Sequence, residues 1–179
     1  MASLNDNVYE ARVNALLQSL GISPGSLTAR SLPLCEQAQN LIVAEIDGRG
    51  REHRLRPAAA GAWRAMKTSA SSQGVVLQIA SAFRSVDRQV EIIRSKLAAG
   101  VPLEQILTLS APPGYSEHHT GRAVDITTSG TRALEQEFEN TAAYRWLCAN
   151  AHAFRFFLSY PRSNPQGYAY EPWHWCFRS

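Results

Sequence analysis

The chain has 179 residues, 45% of them hydrophobic, and a net charge of +3 from 18 basic and 15 acidic side chains. That length suits one packed core and is short for two, and so slight a basic excess without a dense Lys/Arg run argues against a nucleic-acid partner. No apolar run approaches the ~20 residues of a membrane span, and three cysteines, odd in number and widely spaced, do not make a disulfide framework.

Asn5 or Asp6 can cap a helix running to about residue 20. Tyr9, Val13, Leu16, Leu17 and Leu20 form one apolar stripe along it, and Gly21 stops it. The segment GISPGSLTARSLP, residues 21–33, reads as a loop. It sets a helical N-terminal extension, 1–35, apart from a main domain, 36–179. The N-terminus lacks the charged and apolar regions of a secretory signal. A cytoplasmic chain is expected as it stands, or a periplasmic or cell-wall one if an export signal has been removed. Residues 40–55 read as a hairpin, with a strand at 41–46 and a turn opening at Asp47-Gly48. The basic cluster GRGREHRLRP, 48–57, is then a solvated part of that hairpin.

Residues 56–72 look helical, with Pro57 acceptable near the start. Residues 74–85 read as a buried strand ending at Arg84. Ser85 caps a helix to about residue 99, with Val90, Ile93 and Leu97 facing inward. A long loop containing APPGY follows. Residues 121–127 alternate as a strand, Val124 and Ile126 to one side, Ala123 and Asp125 to the other. A helix at about 141–153 puts Tyr144, Leu147, Cys148 and Ala151 on one face, which makes Cys148 a core residue. A strand at 155–161, an irregular loop at 162–172 and a terminal strand at 173–177 complete the chain. Interleaved helices and strands with two hairpin-like pairings predict an α+β fold, a mostly antiparallel sheet flanked by helices.

The five histidines are His53, His118, His119, His152 and His174. His118 and His119 stand in GYSEHHTGRAVDITT, 114–128; Glu171 and His174 stand in EPWHW, 171–175. A catalytic zinc takes three protein ligands and keeps one open position. His118, Asp125 and His174 would supply nitrogen, oxygen and nitrogen, a set that suits zinc, and Glu171 is close enough in sequence to activate a water there. Each residue also has an ordinary account. His118 suits a solvated turn, Asp125 can close a strand, and His174 can lie half buried between Trp173 and Trp175. Spacing leaves both accounts open. Trp173 and Trp175 flank His174 on the opposite face and read as core. Tyr160, Tyr168 and Tyr170 lie in or beside the 162–172 loop, where they could line a peptide groove or sit in solvent.

Ser116 to Asp125 matches the S-x-H-x-x-G-x-A-x-D pattern of the VanY-type D-alanyl-D-alanine carboxypeptidases, and Glu171-Pro172-Trp173-His174 matches their E-x-W-H pattern. SAFRS, 81–85, followed by Gln89, resembles the family's S-x-x-R-S…Q segment. WLCANAHAFRFFLSYP, 146–161, is similar to the family's lead-in to its last motif. The resemblance spans roughly residues 40 to 177, in order. It implies the fold of the lysostaphin, D-Ala-D-Ala-peptidase and hedgehog group, with one Zn2+ per chain on His118, Asp125 and His174; His119 falls at a variable position. It implies Glu171 as catalytic base and Arg84 as the catalytic and substrate-binding guanidinium that holds the oxyanion or a substrate carboxylate. Ser116 and Gln89 are implied as substrate-binding.

The implied reaction is zinc-dependent removal of the terminal D-Ala from a peptidoglycan stem peptide or muropeptide. Relatives of the same fold and metal are L,D-carboxypeptidases and endolysin-like endopeptidases. The hedgehog signalling domain keeps zinc without peptidase use and makes a binding module the remaining alternative, which an intact Glu171 disfavours. A monomer is expected. Two positions depart from the pattern: Arg155 stands where the family usually has Gly, and Cys176, on His174's strand face, has no ligand counterpart, so a structural thiol is expected.

Overall fold

Asp47 closes the first hairpin of the chain: its carboxylate accepts from the backbone amides of Arg49 and Arg51 at 2.9 Å each. The computed structural model describes residues 4–30 and 32–179, the side chains at 4–6, 24, 26 and 29 excepted. In chain order the elements are α1 (Leu4–Ser19), α2 (Pro24–Ala29), β1 (Ile42–Ile46), β2 (Glu52–Leu55), α3 (Pro57–Ser72), β3 (Gln78–Ser81), α4 (Val86–Ala98), α5 (Leu103–Leu109), β4 (Ala123–Thr127), α6 (Ala142–Asn150), β5 (Phe156–Leu158) and β6 (His174–Phe177). β1 and β2 form the hairpin, and the other strands make an antiparallel sheet in the order β3-β4-β6-β5.

The pleat gives that sheet two chemically different faces. Val124 pairs with Trp175, and both join Ile126 in the main core with Trp63 and Met66 of α3 and Trp146 and Leu147 of α6. One residue along, Asp125 pairs with His174, and these side chains emerge on the other face. A second core lies beside the sheet. Val13 and Leu17 of α1 and Leu27 of α2 pack there on Val90 and Ile93 of α4 and Ile106 of α5. The N-terminal segment is tied down further by Cys35 N–H donating to Gly114 O at 2.7 Å and by the Tyr9 hydroxyl donating to Cys35 O at 2.7 Å. Glu45 joins the hairpin to the edge of the sheet, accepting from Trp63 Nε1 (3.0 Å), Lys67 Nζ (2.7 Å) and Ile79 N (3.1 Å).

The α+β class, the antiparallel pairing and the Ser85 cap, which accepts from Arg88 N at 3.1 Å, agree with the sequence reading. Several boundaries differ. The segment read as a loop at 21–33 contains α2, a single helical stretch with Pro24 at its first position and Leu27 buried. The loop before the APPGY segment contains α5, which Pro102 opens and buried Ile106 anchors. Both helices are too short for a periodic stripe to declare itself. β3 covers only Gln78–Ser81, because its partner β4 has five residues and the pairing slips between Ile79 and Ser81. Cys148 is exposed, not core: the buried face of α6 is Ala143, Trp146 and Leu147, and the next residue has already turned to solvent. Asn5 and Asp6 fall inside α1 rather than before it, and their side chains lie outside the described residues.

Candidate functional site

Two adjacent histidines divide their tasks through the short 3-10 helix Glu117–Thr120. His119 is fully buried; its Nδ1–H donates to Arg84 O at 2.7 Å and its Nε2 accepts from Gly114 N at 3.2 Å. It is a strut between the Arg84 turn and the 112–116 loop. His118 turns the other way. Its Nδ1–H donates to Ala82 O at 2.7 Å, and its Nε2 stands 3.1 Å from Asp125 Oδ2. Across the sheet, His174 Nδ1 lies 3.0 Å from Asp125 Oδ1. The imidazole planes meet edge to face at 86°, 4.9 Å between centroids.

One donor atom from each of His118, Asp125 and His174 lies within 4.8 Å of the others, and all three residues are buried. A tetrahedral zinc with bonds near 2.0–2.1 Å needs donor separations of roughly 3.3 Å; here His174 Nδ1 stands 3.0 Å from Asp125 Oδ1, His118 Nε2 3.1 Å from Asp125 Oδ2, and one donor atom from each residue fits within a 4.8 Å span. The chemistry of the set fits too. With Nδ1–H spent on a carbonyl, His118 offers a lone pair on Nε2, and Asp125 stays ionised: burial opposes its charge, but His118 and His174 hold it well below the usual carboxylate range. Cys176 is buried and is outside this donor cluster among the described residues; burial, reinforced by Glu117, pushes its thiol above the ordinary range.

Around the triad is a cleft. Glu171 borders it with its carboxylate 3.8 Å from His174 Nδ1, and burial, reinforced by Asp125, lifts its pKa to about 7 against the pull of His174. Arg84 reaches in from the turn after β3. Its guanidinium donates to Gln89 Oε1 (2.9 Å) and Ser81 Oγ (3.2 Å) and stands 3.9 Å from Asp125. Asp87, close by in sequence, pairs with Arg12 at 2.7 Å and leaves Arg84 to the cleft. Gln89 is fully buried and spends the other end of its amide on Ala111 O at 2.7 Å, so it grips Arg84 rather than bordering the cleft. Ser116 lines the cleft beside the triad and does not cap the 3-10 helix it precedes. Tyr160, Tyr168 and Tyr170 all line it; the Tyr160 ring lies 4.6 Å from that of His174. Trp175 is core, whereas Trp173, just before β6, packs on the core and also borders the cleft.

Two contributors carried no signal in the sequence reading. Lys96 lines the cleft on α4, its ammonium donating to Ser110 Oγ at 2.7 Å. Glu117 meets His174, a residue 57 positions away, at 2.9 Å. Only the tertiary fold brings Lys96 to the site and Glu117 to His174.

These features define a class: an α+β fold whose sheet presents, beside a half-buried glutamate, three buried side chains able to hold a metal ion. The VanY family model, described as D-alanyl-D-alanine carboxypeptidase, matches residues 52–179, and the chain belongs to that family. It is 33% identical over 119 residues to the D-alanyl-D-alanine carboxypeptidase of Enterococcus faecalis (strain ATCC 700802 / V583), covering 61% of this chain and 42% of that relative. The chain spans between 28% and 55% of the length of the curated relatives it matches. Among solved structures, the LdcB LD-carboxypeptidase superposes with a TM-score of 0.71 at 30% identity, over 79% of this chain and 69% of that one. The vancomycin-resistance D,D-pentapeptidase VanY of a VanB-type cassette, solved with Zn(II), superposes at 0.59 and 30% identity, over 80% of this chain and 86% of that one.

Proposed function

We propose that the chain is a zinc carboxypeptidase that removes the terminal D-Ala from peptidoglycan stem peptides. The observation that carries this reading is the convergence of His118, Asp125 and His174 beside Glu171 in one cleft. His118, Asp125 and His174 would hold the ion. Zinc bound there supplies a Lewis acid that brings the pKa of a water towards ~7 and polarises the scissile carbonyl.

The protein's own groups do the rest. Glu171 takes a proton from the attacking water and passes it to the amine that leaves as the C–N bond breaks; a carboxyl near neutrality suits both halves of that exchange. Arg84, clamped by Gln89 and Ser81, presents a permanent charge to the developing oxyanion or to the substrate's terminal carboxylate. Lys96 adds a second cation to the same wall, and Ser116 a hydroxyl able to donate to that carboxylate. The three tyrosines line the cleft and give a peptide partly apolar ring surface to meet.

A second reading, L,D-carboxypeptidase, takes its support from the LdcB LD-carboxypeptidase, which superposes over 79% of this chain with a TM-score of 0.71. Zinc-loaded protein incubated with matched penta- and tetrapeptide muropeptides, read by mass spectrometry, separates the two. Loss of D-Ala from the pentapeptide is expected on the leading reading. Cleavage of the tetrapeptide alone moves the assignment to the second, and cleavage of neither defeats both.

A further inference from the structure

We propose that Glu117 is a positioning residue for the metal centre: it holds the proton of His174 on Nε2 and so keeps Nδ1 free for the ion. The proposal rests on the reading above, in which His174 is a metal ligand.

The imidazole of His174 lies between two carboxylates on opposite edges. Nδ1 faces Asp125 Oδ1 at 3.0 Å inside the donor triad, and Nε2 faces Glu117 Oε2 at 2.9 Å outside it. A neutral imidazole carries one proton, and the partner of the nitrogen that keeps it decides which nitrogen is left to bind a cation. His118 solves the same problem in mirror fashion, giving its Nδ1–H to the Ala82 carbonyl and leaving Nε2 for the triad. The two histidines therefore present different nitrogens, and each needs its own acceptor.

Glu117 is built to be that acceptor. The oxygen that meets His174 also accepts from the Ser159 hydroxyl at 2.6 Å, which fixes the carboxylate's orientation. Its backbone is held in the 3-10 helix, where the Thr120 hydroxyl donates to Glu117 O at 2.6 Å. The Tyr160 ring, 4.6 Å from that of His174, limits rotation of the imidazole. A carboxylate in place of a carbonyl also strengthens the imidazole as a donor to a cation. Glu117 thus links the first ligand motif, in which it directly precedes His118, to the last ligand of the chain.

The test is zinc affinity, measured by competition with a chromophoric chelator on wild-type protein, Glu117→Gln and His174→Ala. Glu117→Gln keeps the size and an acceptor oxygen but removes the charge. It is expected to weaken zinc binding about 10–100-fold with the far-UV circular dichroism and cooperative melting of the metal-free protein retained. His174→Ala is expected to weaken it further. Wild-type affinity in Glu117→Gln, alongside a loss in His174→Ala, overturns the proposal and leaves the metal reading standing. Equal affinity in His174→Ala and wild type overturns the metal reading itself, and this proposal with it. Nitrogen-15 NMR of the zinc-loaded wild-type protein is independent of any variant's folding: His174 should show a protonated Nε2 and a coordinated Nδ1, and coordination through Nε2 overturns the proposal.

Discussion

Glu171 works, on the proposed reading, only while it is ionised. An ordinary glutamate has a pKa of ~4.3, and burial lifts this one to about 7. A bound cation favours the carboxylate and draws the value back down. The acid limb of kcat/KM for the zinc-loaded protein should therefore fall between those limits, with activity rising as the pH rises through it. Glu171→Gln should lower kcat by about 10²–10⁴-fold with zinc affinity retained, and full activity in that variant would exclude Glu171 as the base. His119 makes a different pH prediction. Burial, aided by the charges of His118 and Arg84, lowers its pKa from 6.5 to about 4, and both ring nitrogens are committed in the neutral form. Between those values only the unfolded chain takes up the proton, so stability is lost as the pH falls, by up to about 3 kcal/mol. Urea melts at pH 7 and pH 4 should show this loss in wild type and a smaller one in His119→Gln. At this scale the motif spacing made the two histidines legible as a pair. It did not show that His119 is a strut, because its partners, Arg84 and Gly114, lie in separate loops.

Elements bring these side chains together, and their junctions carry strain that residue type reveals. Gly121 follows the 3-10 helix with φ +64°, and a Cβ there would stand 2.7 Å from Leu41 Cδ2 and 3.3 Å from Ala38 Cβ. Gly121→Ala should cost about 1–3 kcal/mol in chemical denaturation, and because β4 starts two residues on, it should weaken zinc binding as well. Unchanged stability would mean that the 36–41 segment gives way freely. Arg155 occupies a left-handed position, φ 62°, where the resemblance called for Gly. The backbone turn survives the replacement, with the guanidinium lying over the Phe177 ring at 5.5 Å. Alternation made β4 and β6 legible, since one buried face and one chemical face impose a clean period of two. α2 and α5 were not, because each depends on a single buried anchor, Leu27 or Ile106, whose worth appears only once the helices pack.

For the molecule as a whole, the second core joins α1 and α2 to α4 and α5, and α4 carries both Gln89 and Lys96. All four tryptophans, Trp63, Trp146, Trp173 and Trp175, lie outside the first 35 residues. If the N-terminal helices share the cooperativity of the rest, far-UV circular dichroism and tryptophan fluorescence will trace one coincident urea transition. An earlier dichroism-only phase would show the first helices melting alone. The fold class was readable because it rests on local patterns of alternation and helical period, whereas spacing alone left His118, Asp125 and His174 open and only the family motifs joined them. The walls of the cleft were not, since Lys96, Leu109 and Leu134 are ordinary residues until the chain closes around them.

Asp125 and His174 sit opposite each other on neighbouring strands, 49 positions apart. A slip of one residue in that pairing would send one of them into the apolar interior. On the proposed reading, ion capture therefore doubles as a gauge of strand alignment. In a refolding chain, a zinc-sensitive dye should report uptake only after the two distant segments have zipped in their native frame. Uptake that runs ahead of sheet formation would mean that the ion recruits the strands and sets their alignment itself.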